Sequence, residues 1–275
     1  MNYIDAHIHF FVPSQSIYQV YLDILGDKNL EKVFALVFSS DALDIEKTYR
    51  LVPKHVKGFV KGLTEFRSCD SFFEFVNKHA LSQKVVPFID DRALVKNVRA
   101  TLEEYKKMGF VGIKSFYLPE RDEYYIDSFM DVFSISLADY QKTQREMFAF
   151  ASENEMPVMY HTSVKKYPDF IESLLREFKN VRVCIPHFGY SRRSIAPLLE
   201  KYENFYTDIS SLLGLMKKQK EEYVEFMDRH RDKILLGTDG PGFEKASDYA
   251  NFLEKNLSGE AFRKIARENA LRFLF

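Results

Sequence analysis

Two of the seven histidines, His7 and His9, sit one residue apart in the opening stretch MNYIDAHIHFF. Tyr3, Ile4, Ile8, Phe10 and Phe11 around them are β-branched or aromatic, which favours a strand. Residues two apart in a strand share a face, so both imidazoles project together, and Asp5 is expected on that face as well. Two histidines in a polar N-terminal arm would start the same way, and the rest of the chain has to decide. Later apolar runs end in VMYH, VRVCIPH, NFYTDI and ILLGTD, which bring His161, His187, Asp208 and Asp239 to their C-terminal ends. VVPFID and VGIKSF do the same for Asp90 and Lys114. Neutral imidazole and carboxylate are the usual ligands of zinc and related divalent ions, and a catalytic site keeps one position open. One strand-end histidine is an ordinary core residue, but four at converging positions would each need a polar partner. A metal supplies it. His55, His79 and His230 fall in helical or loop context and read as solvated.

Those side chains need a frame that brings strand ends together. Strands are expected at Tyr3–His9, Val33–Ser39, Val85–Asp90, Val111–Phe116, Val158–His161, Val181–His187, Asn204–Ile209 and Ile234–Asp239. Most are continuous apolar runs, as in parallel sheets buried on both faces. The segments between them read as helices. DFIESLLREFKN places Ile171, Leu174, Leu175 and Phe178 on one stripe. DSFFEFVNKHAL offers Asp70 as an N-cap, and TLEEYKKMG stops on Gly109. Eight strands interleaved with helices predict a parallel, eight-stranded (β/α)8 TIM barrel in one domain, residues 1–275, with its active site at the C-terminal strand ends. Two connections exceed what a barrel requires. Ser40–Lys84 has room for an extra strand, Val56–Leu63, or an outer helix, and Tyr117–Ala138 is long enough to shape the mouth of the site.

Composition narrows the partners. The chain is 46% hydrophobic and 29% charged with a formal net charge of -1, which gives no support to a nucleic-acid or membrane-surface role. With 26 Phe, 16 Tyr and no Trp, the core is expected to be phenylalanine-rich. Cys69 and Cys184 match no metal or redox spacing, so a reducing compartment is the simplest reading. No basic segment with an apolar run opens the chain, and no stretch is long and apolar enough to span a bilayer. A cytoplasmic protein with a small-molecule partner is expected, with homo-oligomerisation left open.

The segments DAHIHF, GIKSF, MYHTS, PHFGY, FYTDIS and LLGTDGP, in that order, resemble the amidohydrolase superfamily. The likeness is nearest to the amidohydrolase-related branch that includes aminocarboxymuconate-semialdehyde decarboxylase, and it runs to the terminal RENALRFLF. The resemblance implies that His7, His9, His161 and Asp239 are metal ligands. It makes His187 either a ligand to a second metal or the residue that orients the reactive water or substrate. Lys114 is either a carbamylated bridge between two metals or a substrate contact. The ion is expected to be zinc, with manganese as the alternative, in one or two copies. Such an ion brings the ionisation of water to about pH 7, and Asp239 can take the released proton and pass it to a leaving group.

The function so implied is a metal-dependent hydrolase of a small ester, lactone or amide. The alternative is nonoxidative decarboxylation of a small aromatic or unsaturated carboxylic acid. A nuclease or phosphoesterase on a related barrel fits less well: one such branch calls for Glu where this chain has Lys114, another for more His and Asp where it reads FFVPSQS. Retention of His187 beside the full ligand set argues against a non-catalytic ligand-binding barrel. Arg192 and Arg193, directly after PHFGY, could grip an anionic group on substrate or form a solvated basic turn. Arg121, Tyr124 and Tyr125 are lid candidates. Asp208 with Ser210 resembles the family's seventh-strand pattern, with a structural role.

Overall fold

A computed structural model describes residues 2–11, 15–39, 41, 44–52, 57, 66–121, 127–241 and 244–275. Eight parallel strands pair in chain order: β1 (Tyr3–Phe11), β2 (Leu30–Phe38), β3 (Val85–Asp90), β4 (Gly112–Phe116), β5 (Val158–His161), β6 (Val183–Ile185), β7 (Phe205–Asp208) and β8 (Ile234–Leu235). Helices α1 (Gln15–Leu25), α2 (Ile45–Arg50), α3 (Cys69–Lys78), α4 (Val98–Met108), α5 (Phe129–Phe133) and α6 (Leu137–Glu153) fall between the first five strands. Helices α7 (Pro168–Glu177), α8 (Arg192–Lys201), α9 (Leu213–Lys218), α10 (Lys220–Arg229), α11 (Ala246–Asn256), α12 (Gly259–Arg263) and α13 (Asn269–Leu274) complete the pattern. This is the (β/α)8 barrel that the apolar runs predict. Among the described residues no helix is long and apolar enough to cross a membrane.

Several local expectations change. Ser68, not Asp70, caps α3, because the Ser68 hydroxyl accepts from the Ser71 N–H and the helix begins earlier than expected. Phe178 lies just past the end of α7, while Ile171, Leu174 and Leu175 are its buried face. Gly109 does end α4, at φ 108°, a conformation that suits glycine. His230 is buried against Phe226, ring centroids 4.7 Å apart, rather than solvated. His79, at the end of α3, is half-buried beside Tyr18. The strand expected at Val56–Leu63 lies, apart from Lys57, outside the described residues, as do His55, Tyr124 and Tyr125.

The barrel interior is filled by alternate residues of the strands. Ile4, Ala6, Phe34, Leu36, Phe88, Met159, Cys184, Tyr206 and Leu235 form one buried cluster, and Phe273 from α13 closes it at the floor against Phe34 and Phe88. Space there is tight. A Cβ at Gly112 would lie 2.2 Å from the Phe88 ring, so glycine at this interior position lets the large phenylalanine fit.

Strand β1 does not alternate cleanly. Its register against β2 slips between Asp5 and Ile8, three residues of β1 facing two of β2. Such a bulge swaps the faces of everything beyond it. Before the bulge, Ile4 and Ala6 point inward; after it, Ile8, Phe10 and Phe11 join the outer core. His7 and His9 therefore face the interior and Asp5 does not. The expectation that Asp5 shares their face fails because one inserted residue resets the alternation.

The last seam closes without a regular ladder. The Ala6 N–H donates to the Leu236 carbonyl (2.8 Å), the Asp239 N–H to that of His7 (2.8 Å) and the His9 N–H to that of Gly240 (2.6 Å). Buried Asp5 adds a side-chain clasp, accepting from the Thr238 N–H (3.0 Å) and hydroxyl (2.7 Å) and from the His7 N–H (3.1 Å). The clasp ties the strand that carries His7 and His9 to the turn that carries Asp239.

Candidate metal centre

At the C-terminal rim three donors converge. Nε2 of His7 and Nε2 of His9 each lie 3.2 Å from Oδ1 of Asp239, and the three ligand atoms all fall within 4.8 Å of one another. Tetrahedral ligands about 2.1 Å from one ion stand about 3.4 Å apart, so these separations suit a single divalent ion. The chemistry of the set agrees, being two imidazole nitrogens and a carboxylate. The His7 side chain is fully buried, whereas those of His9 and Asp239 keep 13% and 22% exposure, which leaves one side open to the mouth. Asp239 has φ 68°, a left-handed conformation that aspartate tolerates better than most residues. It turns the carboxylate inward four residues beyond the last paired residue of β8.

The electrostatics favour a cation. Burial and the neighbouring Lys114 oppose charge on His7, yet Asp208 and Asp239 outweigh them and raise its pKa. Burial works against ionisation of Asp239 too, but His7, His9 and His187 hold its pKa well below the carboxylate range. The protein thus keeps a partly exposed anion where positive charge is wanted. Lys114 Nζ stands 3.4 Å from His7 Nε2 and 5.0 Å over the Phe116 ring. Burial brings its pKa down to about 8, although Asp239, Asp90 and Asp208 pull the other way.

Behind the donors lies a layer of support. His7 Nδ1 is 2.8 Å from Asp208 Oδ2. His9 Nδ1 is 3.3 Å from Asp90 Oδ2, in a direction that makes no hydrogen bond. Asp90 is held by Arg92 through both oxygens (3.2 and 3.0 Å), and the third guanidinium nitrogen donates to the Leu51 carbonyl at 2.6 Å. Burial alone would raise the pKa of Asp90, but Arg92 and His9 lower it. The Arg92 guanidinium lies 4.3 Å from the Phe116 ring centroid.

His187 follows β6 in a turn where four consecutive residues, His187 to Tyr190, have φ between 52° and 64°. Three of them carry side chains, each at a cost of about 1 kcal/mol or more. A Cβ on the fourth, Gly189, would sit 2.4 Å from Val164. The turn leaves His187 Nε2 4.0 Å from Asp239 Oδ2. Burial lowers the His187 pKa despite Asp239 and Asp208, so the ring stays neutral. Ser211, also left-handed at φ 56°, donates to the same Oδ2 at 2.8 Å.

The residues singled out from the sequence are therefore unevenly gathered. His7, His9, Asp239, Lys114 and His187 come together. His161, at the end of β5, joins no group of mutually close donors among the described residues. Its Nε2 meets the Tyr190 hydroxyl at 2.5 Å, and its ring lies 5.5 Å from that of His187. Arg192 turns to α10, pairing with Glu222 at 2.7 Å and lying 3.8 Å over the Tyr223 ring. Exposed Arg193 shares that outer groove with Phe226 and Arg229. Arg121 is exposed in a crevice that also contains Tyr190. Arg92 and Tyr190 had no part in the sequence reading. The pairing of Asp90, the last residue of β3, with Arg92 two residues on is the one signal that could have marked the arginine.

The family model described as Amidohydrolase matches residues 4–275. No curated protein matches the chain. Among solved structures, an uncharacterized TIM-barrel protein from Bordetella bronchiseptica is similar at 14% identity and a TM-score of 0.67, over 100% of this chain and 98% of the other. A probable 2-pyrone-4,6-dicarboxylic acid hydrolase from Acinetobacter baumannii, with citric acid bound, is 13% identical with a TM-score of 0.59, covering 100% and 99%. A dihydroxybenzoic acid decarboxylase from a Polaromonas species, with bound manganese and the inhibitor 2-nitroresorcinol, is 16% identical with a TM-score of 0.58, covering 100% and 97%. At such identities the likeness speaks for the fold.

Proposed function

Because the chain belongs to the amidohydrolase family, whose model it matches from residue 4 to its end, we propose that it is a metal-dependent hydrolase of a small, anionic lactone, ester or amide. The observation that carries this reading is the convergence of His7 and His9 Nε2 on one oxygen of Asp239, with the other oxygen turned toward His187. His7, His9 and Asp239 would hold a divalent ion, zinc by preference and manganese as the alternative, and His161 would join them by leaving Tyr190. Bound there, the ion supplies Lewis acidity and brings the ionisation of water near neutral pH.

The chain's own residues do the rest. Asp239 Oδ2 would accept the proton of the water that attacks the scissile carbonyl and return it to the leaving oxygen or nitrogen. Neutral His187 would hydrogen-bond the attacking water or the substrate through Nε2 and keep it in line. Lys114, the buried cation beside His7, would attract a substrate carboxylate. A single ion leaves Lys114 in that role rather than as a carbamylated bridge. Arg121 would contribute from the crevice it shares with Tyr190, and Arg192 and Arg193 would contribute at most from outside. Free Cys69 and Cys184 support a cytoplasmic setting.

Decarboxylation is the second reading, favoured by the aromatic surroundings. Phe11 stacks near His9 (6.0 Å), Phe116 near His161 (5.2 Å) and Tyr190 on His187 (5.9 Å, 29°). Such walls suit a flat aromatic carboxylate, and Asp239 would then deliver a proton to the carbon that loses carbon dioxide. Zinc- or manganese-loaded protein should be incubated with lactones, esters, amides and hydroxybenzoates. Acid release at constant pH from lactones or esters, or amine release from amides, without carbon dioxide supports hydrolysis. Carbon dioxide release supports the second reading, and full activity after metal removal refutes both.

A further inference from the structure

We infer that Asp208, acting with Ser210, selects the tautomer of His7 and of His187, and so determines that His7 presents a lone pair, not a hydrogen, to an ion. The inference rests on the metal centre proposed above and makes Asp208 a positioning residue for it. The argument is a count of hydrogens. Asp208 Oδ1 accepts from the His187 N–H (2.9 Å), the Ser210 N–H (3.0 Å) and the Ser210 hydroxyl (2.5 Å). Since the hydroxyl proton goes to Asp208, Ser210 Oγ meets the two imidazoles with lone pairs, 3.1 Å from His7 Nδ1 and 2.9 Å from His187 Nδ1. The second neighbour of His7 Nδ1 is Asp208 Oδ2 (2.8 Å), and that of His187 Nδ1 is the Ser210 carbonyl (2.8 Å). Each of these atoms, contributed by the described residues to either Nδ1, is thus an acceptor. Both rings carry a hydrogen at Nδ1, which leaves each Nε2, on the side of Asp239, as the nitrogen free to give a lone pair to an ion. Asp208, Ser210 and His7 have no exposed surface, so water does not compete for these contacts. A partner on the far nitrogen of a metal-binding imidazole commonly fixes its tautomer in this way.

The same geometry dictates what the isosteric variant Asp208→Asn does. Two backbone N–H groups and a hydroxyl require an acceptor at the Oδ1 position, so the amide oxygen must sit there. The NH2 group then replaces Oδ2 and faces His7 Nδ1. That nitrogen becomes an acceptor, the hydrogen moves to Nε2, and the lone pair aimed at the ion is lost. Imidazole nitrogen NMR on zinc-free protein in mildly alkaline buffer should find His7 Nδ1 protonated in the parent and unprotonated in Asp208→Asn. Zinc affinity, read by competition with a chromogenic chelator, should fall about 10- to 100-fold. A parent whose His7 Nδ1 carries no hydrogen overturns the inference without any variant, and so does an Asp208→Asn protein that folds and binds zinc as tightly as the parent. A parent that binds no zinc but has Nδ1 protonated upholds the tautomer assignment and refutes the metal reading instead.

Discussion

Replacing Asp239 by asparagine preserves the side chain's shape while removing its charge and basicity. The loss falls on Oδ1, 3.2 Å from both His7 and His9 Nε2. At that distance a unit charge interacts with a monovalent partner by about 5 kcal/mol at an effective dielectric near 20. The carboxylate keeps 22% exposure, so solvent screens part of this. A residual of about 2–3 kcal/mol corresponds to a loss of about 30- to 150-fold in ion affinity, at about 1.4 kcal/mol per tenfold. Turnover should fall further, because the amide of the variant cannot take up a proton, and a lost general base costs about 10²-fold or more in kcat. The fold should persist: the backbone N–H of this residue still reaches the His7 carbonyl, and Asp5 still clasps Thr238. In metal-free protein the His7 pKa should drop, since Asp239 is one of the two carboxylates that raise it. The assay combines zinc competition, a pH titration of the His7 ring and steady-state kcat on the substrate found by screening. A variant with parental kcat over roughly pH 6 to 9, the range spanning the ionisation of metal-activated water, would refute the mechanism.

Three further perturbations have calculable signs. Lys114, with its pKa brought from 10.5 to about 8, binds a proton more weakly in the folded state, so its penalty is full below pH 8 and fades as pH rises to 10.5. Lys114→Met should therefore raise the unfolding free energy of metal-free protein by about 3 kcal/mol at neutral pH while mainly raising KM; a loss of stability there would contradict the burial argument. Buried Asp91 has its pKa raised to about 6, burial outweighing hydrogen bonds from Tyr105 and Ala93. It holds a proton that the unfolded chain releases, so its contribution declines as pH climbs from 3.8 to about 6. Asp91→Asn should gain on the parent by up to about 3 kcal/mol across that window in urea titrations, and a constant difference would exclude the assignment. A Cβ at Gly237 would lie 2.8 Å from the Cβ of His7 and 3.5 Å from Asp208 Oδ2. Gly237→Ala should displace the His7 ring and weaken zinc binding by about tenfold or more, a result that unchanged affinity in chelator competition would disprove.

The sequence by itself determined the frame and the cast. Most strands are local runs rich in apolar residues, legible because burial on both faces leaves few polar residues between their ends. The polar residues that end those runs, His7, His9, Lys114, His161, His187, Asp208 and Asp239, mark the rim. What tertiary structure alone decided is the aim of those side chains. The bulge in β1 turns His7 and His9 inward and Asp5 away, and it exists only as a register between β1 and β2. The left-handed turn at His187 is held by Asp208, 21 residues downstream. Tyr190 takes Nε2 of His161, which the order of histidines along the chain could not reveal. Arg192, two residues past that turn, faces Glu222 and Tyr223 of α10 because helix packing set its direction. Residue type and spacing are properties of neighbours in the chain. Which nitrogen meets which oxygen depends on contacts between strands far apart in sequence, such as His7 with Asp208 and Asp5 with Thr238, and these form only when the barrel closes.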